Sequence, residues 1–412
     1  MQFWRFLHNP SVTAGEMGSH SAEETAARVA GRDIVAIQDT TQVAIGGRRA
    51  AANGYGPIGK GGGLRGLLLH AVLAVDAASG ALLGAVDLNI WNRTGGKVTG
   101  SRARPINDKE SKRWIDGTVR AGEVLASARS IVSVSDREGD IYEHFVERPA
   151  NVDLIVRCCQ DRNIKTDKAD HQDLLFAFVN DLPEQGRLKV TIPAAPGRKE
   201  RKTELAVRYS QVELQRPARW TARHLPETIP LSLVDVCETS TPEDAEPIHW
   251  RLLTTRTVTS PDDAKRIVDL YRMRWTVEEY FRTLKTAGFN IEDADIEDPE
   301  AMIRLTAAVA VAGVTVMQLV RARDGATKQP LSDAFDTDDQ RILEAVSRKL
   351  EGKTARQKNP HPPGSLAFAS WVLARLGGWT GYYGKPGPQV MRRGLEDFQR
   401  IRFGAQLGFG DV

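Results

Sequence analysis

The chain has 412 residues, 41% of them apolar and 26% charged, an ordinary globular composition with more length than one average domain needs to bury a core. Its 56 Lys and Arg against 53 Asp and Glu leave a net charge of +3, so a nucleic-acid partner is allowed by the charge balance without being demanded by it. Three cysteines, Cys158, Cys159 and Cys237, fit neither a disulfide framework nor a CxxC zinc site and point to a reducing cytoplasm.

The start, MQFWRFLHNP, lacks the basic and then apolar layout of a signal peptide. DIVAIQ at 33–38 predicts a strand that stops at Asp39, and 66–91 predicts two strands around an Asp76 to Gly80 turn of hairpin length. A helix is expected over 110–127, followed by a strand from Ile131 to Val134 that stops at Asp136, a further helix, and a strand at 153–157. These elements together read as a mixed α/β sheet. From 160 to 256, strand-like alternation in GRLKVTIPAA, TELAVRYSQVEL, IPLSLVDVC and HWRLLTT is separated by Pro-rich and basic loops such as PGRKERK at 196–202, giving a β-rich insertion. Ser260-Pro261 makes a helix start, and helical sequence runs through Arg323 with a break near 288–299. Within it, LTAAVAVAGVTVMQLV at 305–320 is short and Ala-rich for a membrane span and reads as a buried core helix. The remainder, 331–412, reads as helical with an interruption at 358–365.

The run YRMRWTVEEYFRTLK, Tyr271 to Lys285, is too charged for a core and too aromatic for a plain solvated face. At about 100° per residue, Tyr271, Arg274, Glu278 and Lys285 share one stripe, while Leu270, Met273, Val277, Phe281 and Leu284 fall on a neighbouring apolar arc. One carboxylate among cationic and hydroxyl donors suits a polyanion site; equally, Arg274 and Glu278 can be an i,i+4 surface pair. Asp39 and Asp136, each expected at the carboxyl end of a strand where α/β sheets open a crevice, read singly as turn or cap residues. Taken with Glu278 they make an all-oxygen donor set for two hard cations, the arrangement phosphodiester chemistry uses. GYGPIGKG at 54–61 matches a P-loop pattern, but Gly61 stands where a Ser or Thr must ligate magnesium and a strand follows instead of a helix. No acyl-hydrolase triad or nucleophile elbow is present.

DTT at 39–41, SDREGDIYEHF at 135–145 and the Y-x2-R-x3-E-x6-K spacing from Tyr271 to Lys285 resemble the three signatures of bacterial DDE transposases of the insertion-sequence-four family, the Tn-five type. The resemblance extends from FWRFLHNPSV at 3–12 to GSLAFASWVLARLGG at 364–378. It implies an α/β fold with an RNase H-like (retroviral-integrase-like) mixed-sheet catalytic core, interrupted by the β-rich insertion and followed by a helical C-terminal domain. It implies Asp39, Asp136 and Glu278 as catalytic, metal-binding acids for two Mg2+ or Mn2+ ions. Tyr271, Arg274, Lys285 and Arg157 match DNA-phosphate contacts, and Trp250 matches a tryptophan on which a flipped base stacks during hairpin formation.

On that basis 1–25 is expected to be a remnant of an N-terminal DNA-binding region. Residues 26–160 and 257–330 form the two parts of the core, 161–256 the insertion, and 331–412 a dimerisation region. Partners implied are transposon-end double-stranded DNA and target DNA, with a homodimer in the synaptic complex, no membrane, and a nucleoid-associated place in the bacterial cytoplasm. Family members carry a longer N-terminal reader, so a second reading is a shortened, non-autonomous transposase acting as an inhibitor or inactive DNA-binding remnant.

Overall fold

A computed structural model describes residues 2–46, 50–59, 63–93, 104–165, 172–192, 200–218, 222–240 and 247–408. Two helices the sequence reading did not anticipate come first, α1 (Gln2–Leu7) and α2 (Ala14–Arg28), the second capped by the Thr13 hydroxyl. β1 (Asp33–Ala44), β2 (Gly56–Ile58), β3 (Leu64–Asp76) and β4 (Leu82–Trp91) follow, then α3 (Arg113–Val124), β5 (Ser130–Ser135), α4 (Tyr142–Glu147) and β6 (Val152–Arg157). Next come β7 (Asn163–Lys165), β8 (Gln172–Leu174), α5 (Leu175–Asn180), β9 (Gly186–Ile192), β10 (Arg201–Gln215), β11 (Thr228–Glu238) and β12 (His249–Thr254). The chain closes with α6 (Pro261–Arg272), α7 (Trp275–Arg282), α8 (Pro299–Ala322), α9 (Thr337–Leu350), α10 (Leu366–Leu376) and α11 (Pro388–Gly408).

Strand order places β1 at the centre, antiparallel to β3 and parallel to β5, which is parallel to β6; β4 pairs with β3. This mixed sheet flanked by helices is consistent with an RNase H-like core. The strands of 163–254 do not make a second sheet. β12 pairs antiparallel with β6 through Leu252 and Arg157, so the ladder continues from β6 through β12, β11 and β10 to β7 and β8. Successive side chains on these strands point to opposite faces, and both faces carry buried apolar groups. One face (Val207, Val236, Trp250, Leu252) joins the main core under α6 and α7, and the other (Val212, Leu231, Leu233, Leu253) packs with α5.

The Gly54–Gly59 part of the glycine-rich stretch holds β2, paired to β3, which is not a phosphate-cradling loop; Lys60 and Gly61 lie outside the described residues. Residues 196–199 of the expected basic loop also lie outside them. The 305–320 run falls in α8, long and apolar enough by composition to cross a membrane, but packed against β4, α2, α10 and α11 with half of its most apolar window buried.

The apolar groups of LAFASWVLARLGGW, from Leu366 to Leu376, are more than one face of a terminal helix needs for its own core, which suits a dimer seam or, equally, packing against the catalytic core. In fact Leu366 to Ala374 are all buried, because α8, α9 and α11 surround the helix, so this excess is used within the chain. Among the described residues, the exposed large apolar groups of the C-terminal region are instead Tyr382, Tyr383, Ile401, Phe403 and Leu407. Among the helices of 331–408 the interruption is wider than expected, spanning 351–365 with a 3-10 turn at Ala355–Gln357, and a second gap separates α10 from α11.

Candidate functional site

Asp39 does not end its strand, as the sequence suggested. β1 continues to Ala44 because Thr40 to Ala44 keep pairing with β3, Asp39 opposite Ala71 and Ala44 opposite Gly66. On its other edge the parallel pairing with β5 stops at Ile37 opposite Val134. Two residues further on each strand stand Asp39 and Asp136, so the two carboxylates emerge side by side where the parallel ladder opens. Asp136 follows β5 and begins the turn Arg137–Gly139, whose tightness depends on Gly139, since a Cβ there would lie 2.2 Å from Ser135 Oγ.

The third acid arrives from far along the chain. A capping box at Ser260, with Asp263 reciprocating and Pro261 in the first turn, starts α6, and the helix axis is interrupted at Met273–Arg274 before α7 begins. Leu270, Val277, Phe281 and Leu284 are buried in the main core with Met273 packed against them, as the apolar arc predicted, and α7 lies over β1. Glu278 is thereby held above the strand that carries Asp39.

Arg274 joins two of the acids. Its Nη1 donates to Asp39 Oδ2 at 3.3 Å and its Nη2 to Glu278 Oε1 at 2.7 Å. Tyr271 Oη donates to Asp136 Oδ1 at 3.3 Å, and Arg157 Nη1 lies 3.8 Å from the same oxygen. Burial raises the Asp39 carboxyl from 3.8 to about 6; Arg274 and the Thr40 amide oppose that shift, and the charges of Asp136 and Glu278 add to it. Burial works against the Arg274 charge but is outweighed by Tyr271, Asp136, Glu278 and Asp39, so its pKa is raised. Burial, reinforced by Asp136, pushes the Tyr271 phenol up to about 12, so it remains a donor at neutral pH.

The expected four-residue stripe breaks at its far end. A π-helical turn over Thr283–Ala287 takes more residues per turn than an α-helix, and Lys285 turns away from the acids. Its Nζ is 3.2 Å from Glu292 Oε1, which also accepts from the Ala44 amide at 2.9 Å. Trp250, expected as a stacking platform, is 6% exposed, with Tyr271 and Trp275 edge-on to its ring at 5.4 and 6.0 Å between centroids. A base reaches that indole only once these rings move.

Arg113 was not singled out by the sequence reading, since nothing in ESKRW distinguishes it from a helix-start cation. It donates from Nε to Thr40 Oγ1 at 2.8 Å and from Nη2 to Glu138 Oε2 at 2.5 Å, spanning the two segments that carry Asp39 and Asp136.

Three carboxylates from distant segments suit hard divalent cations, which take oxygen ligands, and the raised Asp39 value reports chiefly its burial, which Arg274 offsets only in part. Among the described residues no three His, Cys, Asp or Glu side chains lie close enough to hold a metal ion as they stand. Asp39 and Glu278 flank the Arg274 guanidinium, while Asp136 is held by Tyr271 and Arg157. The donors are all oxygen, the type a divalent cation takes, and the charge that offsets Asp39 and Glu278 here is the Arg274 guanidinium. Residues 92–312, more than half of the chain, match the family described as Transposase DDE domain.

Proposed function

The chain belongs to the transposase DDE domain family, an assignment that makes it an enzyme acting on DNA, and from that premise we propose that it performs metal-dependent cut-and-paste transposition. In this reading Asp39, Asp136 and Glu278 hold two Mg2+ or Mn2+ ions. Such ions, when bound, generate the attacking oxygen nucleophile and neutralise the leaving oxygen of a phosphodiester. Asp39 and Asp136, on neighbouring parallel strands, form the fixed side of the site. Glu278, 54% exposed at its side chain, is the adjustable one.

Tyr271, Arg274 and Arg157 surround the acids with donors and positive charge and would take the DNA phosphates beside the scissile bond, with Lys285, in the π turn after α7 and beside Glu292, contacting phosphate away from the acids. Trp250 would stack on a base flipped out for hairpin formation once its covering rings shift. Transposon-end double-stranded DNA and target DNA are the substrates. Two identical ends processed together call for a homodimer with two-fold symmetry.

The observation that carries this reading is the joining of Asp39 and Glu278, 239 positions apart in the sequence, by one guanidinium, with Asp136 beside Asp39 at the open end of the parallel β1–β5 ladder and held by Tyr271 and Arg157. The test is strand breakage in a supercoiled plasmid bearing the element's own two ends, assayed in MgCl2 with the wild type and with Asp39→Asn, Asp136→Asn and Glu278→Gln. Wild-type breakage with loss in every variant supports the assignment. A variant that cuts at the wild-type rate removes its residue from the site.

A further inference from the structure

Beneath the acids lies a set of polar side chains in an otherwise apolar core: Gln38, His70, Thr118 and His144 at 0% exposure and Ser133 at 1%. Arg113 Nε donates to Thr40 Oγ1 at 2.8 Å, and Thr40 Oγ1 lies 2.9 Å from His70 Nδ1. His70 Nε2 is 3.1 Å from Gln38 Oε1, and Gln38 Nε2 donates to Thr118 Oγ1 at 2.9 Å and to Ser133 Oγ at 3.0 Å. Thr118 Oγ1 is 2.8 Å from His144 Nε2, and His144 Nδ1 is 3.0 Å from the Gly139 carbonyl.

The two ends of this chain fix its direction. A guanidinium can only donate and a carbonyl can only accept. Gln38, donating from Nε2 to Thr118 and Ser133, presents Oε1 to His70 and can only accept there, so His70 carries hydrogen on Nε2 and its Nδ1 takes the proton of the Thr40 hydroxyl, whose oxygen accepts from Arg113. At the other end His144 must carry hydrogen on Nδ1 to donate to Gly139, so its Nε2 accepts from the Thr118 hydroxyl. Burial lowers both imidazoles, His70 to about 3 and His144 to about 4, in agreement with two neutral rings.

We propose that this directional relay is a positioning device for the metal site, in which Gln38, His70, Thr118 and His144 lock Asp39 against Asp136. The inference rests on the metal-site reading above. Gln38 and Thr40 flank Asp39 on β1, and Gly139 closes the turn that Asp136 begins, its amide donating to the Asp136 carbonyl at 2.9 Å. Links from β3, α3, β5 and α4 thus converge on the backbone that aims the two fixed carboxylates. α3 approaches closely enough only because Gly117 has no side chain, since a Cβ there would stand 2.7 Å from Gln38 Oε1. A sheet that needed packing alone would be served as well by apolar residues, because matched polar pairs contribute little net stability while constraining geometry strongly.

Two readouts test the relay on the full-length protein. Nitrogen NMR of 15N-histidine-labelled protein, with His70 and His144 assigned by single replacement, should show His70 as the Nε2–H tautomer and His144 as the Nδ1–H tautomer; the reverse pair for either ring overturns the direction. Thr118→Val, nearly the same shape without the hydroxyl, should raise the Mn2+ concentration for half-binding about tenfold by EPR, as loss of outer-shell partners does, and Thr118→Ser should restore it. If the wild type binds Mn2+ and Thr118→Val binds it equally well, the relay only packs the core and the proposal fails. If the wild type binds no Mn2+, the metal-site reading fails, while the tautomers still decide the relay's direction.

Discussion

Replacing Asp39 by Asn should make the metal-free protein more stable at neutral pH. The Asp39 carboxyl is raised from 3.8 to about 6, so between those values the folded state binds a proton that the unfolded state has released. A group raised in this way favours the fold when protonated. Its stabilising share fades as pH climbs through 4 to 6, and above that range the ionised carboxylate penalises the fold. Roughly two pKa units at about 1.4 kcal/mol each set the penalty near 3 kcal/mol. Asp39 is 25% exposed at its side chain, so solvent screening makes that figure a ceiling. Urea unfolding in EDTA should therefore show Asp39→Asn gaining between about 1 and 3 kcal/mol at pH 7.5 and nothing near pH 4, where the native carboxyl is neutral in the fold. Saturating Mn2+ should narrow the gap, because an ion at about 100 times the wild-type Kd adds about 2.7 kcal/mol to the wild type and about 1.4 kcal/mol to a variant that binds it about tenfold more weakly. An Asp39→Asn protein less stable than wild type at pH 7.5 in EDTA, or equally stabilised at pH 4 and 7.5, would refute the reasoning.

Other perturbations separate neighbouring roles. Arg274→Ala should weaken DNA binding across sequences and flatten the slope of log affinity against log salt by about one unit, read by fluorescence anisotropy at several KCl concentrations. Because Trp250 is buried, alanine there would confound a core defect of about 3–5 kcal/mol with any loss of stacking. Trp250→Phe is the sharper probe, expected to leave first-strand nicking near wild type while slowing hairpin formation on the same end substrate. Arg162, 8% exposed, donates from Nη2 to Asp140 Oδ1 at 2.7 Å, and the Cys159 and Gln160 amides donate to the other Asp140 oxygen. Arg162→Met leaves Asp140 buried without its counter-ion and should cost about 3–5 kcal/mol in urea unfolding, whereas pairing it with Asp140→Leu should recover much of that loss.

The strands around the acids were legible because their signal is local. The 33–38 run, the hairpin at 66–91 and Ile131 to Val134 carry the apolar continuity of sheet interior, and all are strands in the fold. The end of β1 was not legible. Asp39-Thr40-Thr41-Gln42 looks like a polar exit, and only the antiparallel partner β3, set by long-range register, keeps it extended. The periodicity did not show the break at Met273–Arg274 that divides the expected helix, nor the π turn at Lys285 that changes the rotation per residue, because no residue type marks either. α2 escaped notice because AGEMGSHSAEETAAR is weakly amphipathic, and its packing on β4 and α8 supplies what its sequence does not. Arg113 and the polar relay were invisible for a related reason. Gln38, His70, Thr118 and His144 sit on four separate elements, and only the tertiary fold makes one chain of them.

The claim that Asp39, Asp136 and Glu278 form one divalent-cation site is tested most directly by EPR titration of the purified protein with Mn2+, before any DNA is added. The account predicts saturable binding by the wild type and at least about a tenfold loss in each of Asp39→Asn, Asp136→Asn and Glu278→Gln, with the first two most affected because their carboxylates are fixed by the sheet. Wild-type affinity retained in all three variants would contradict it.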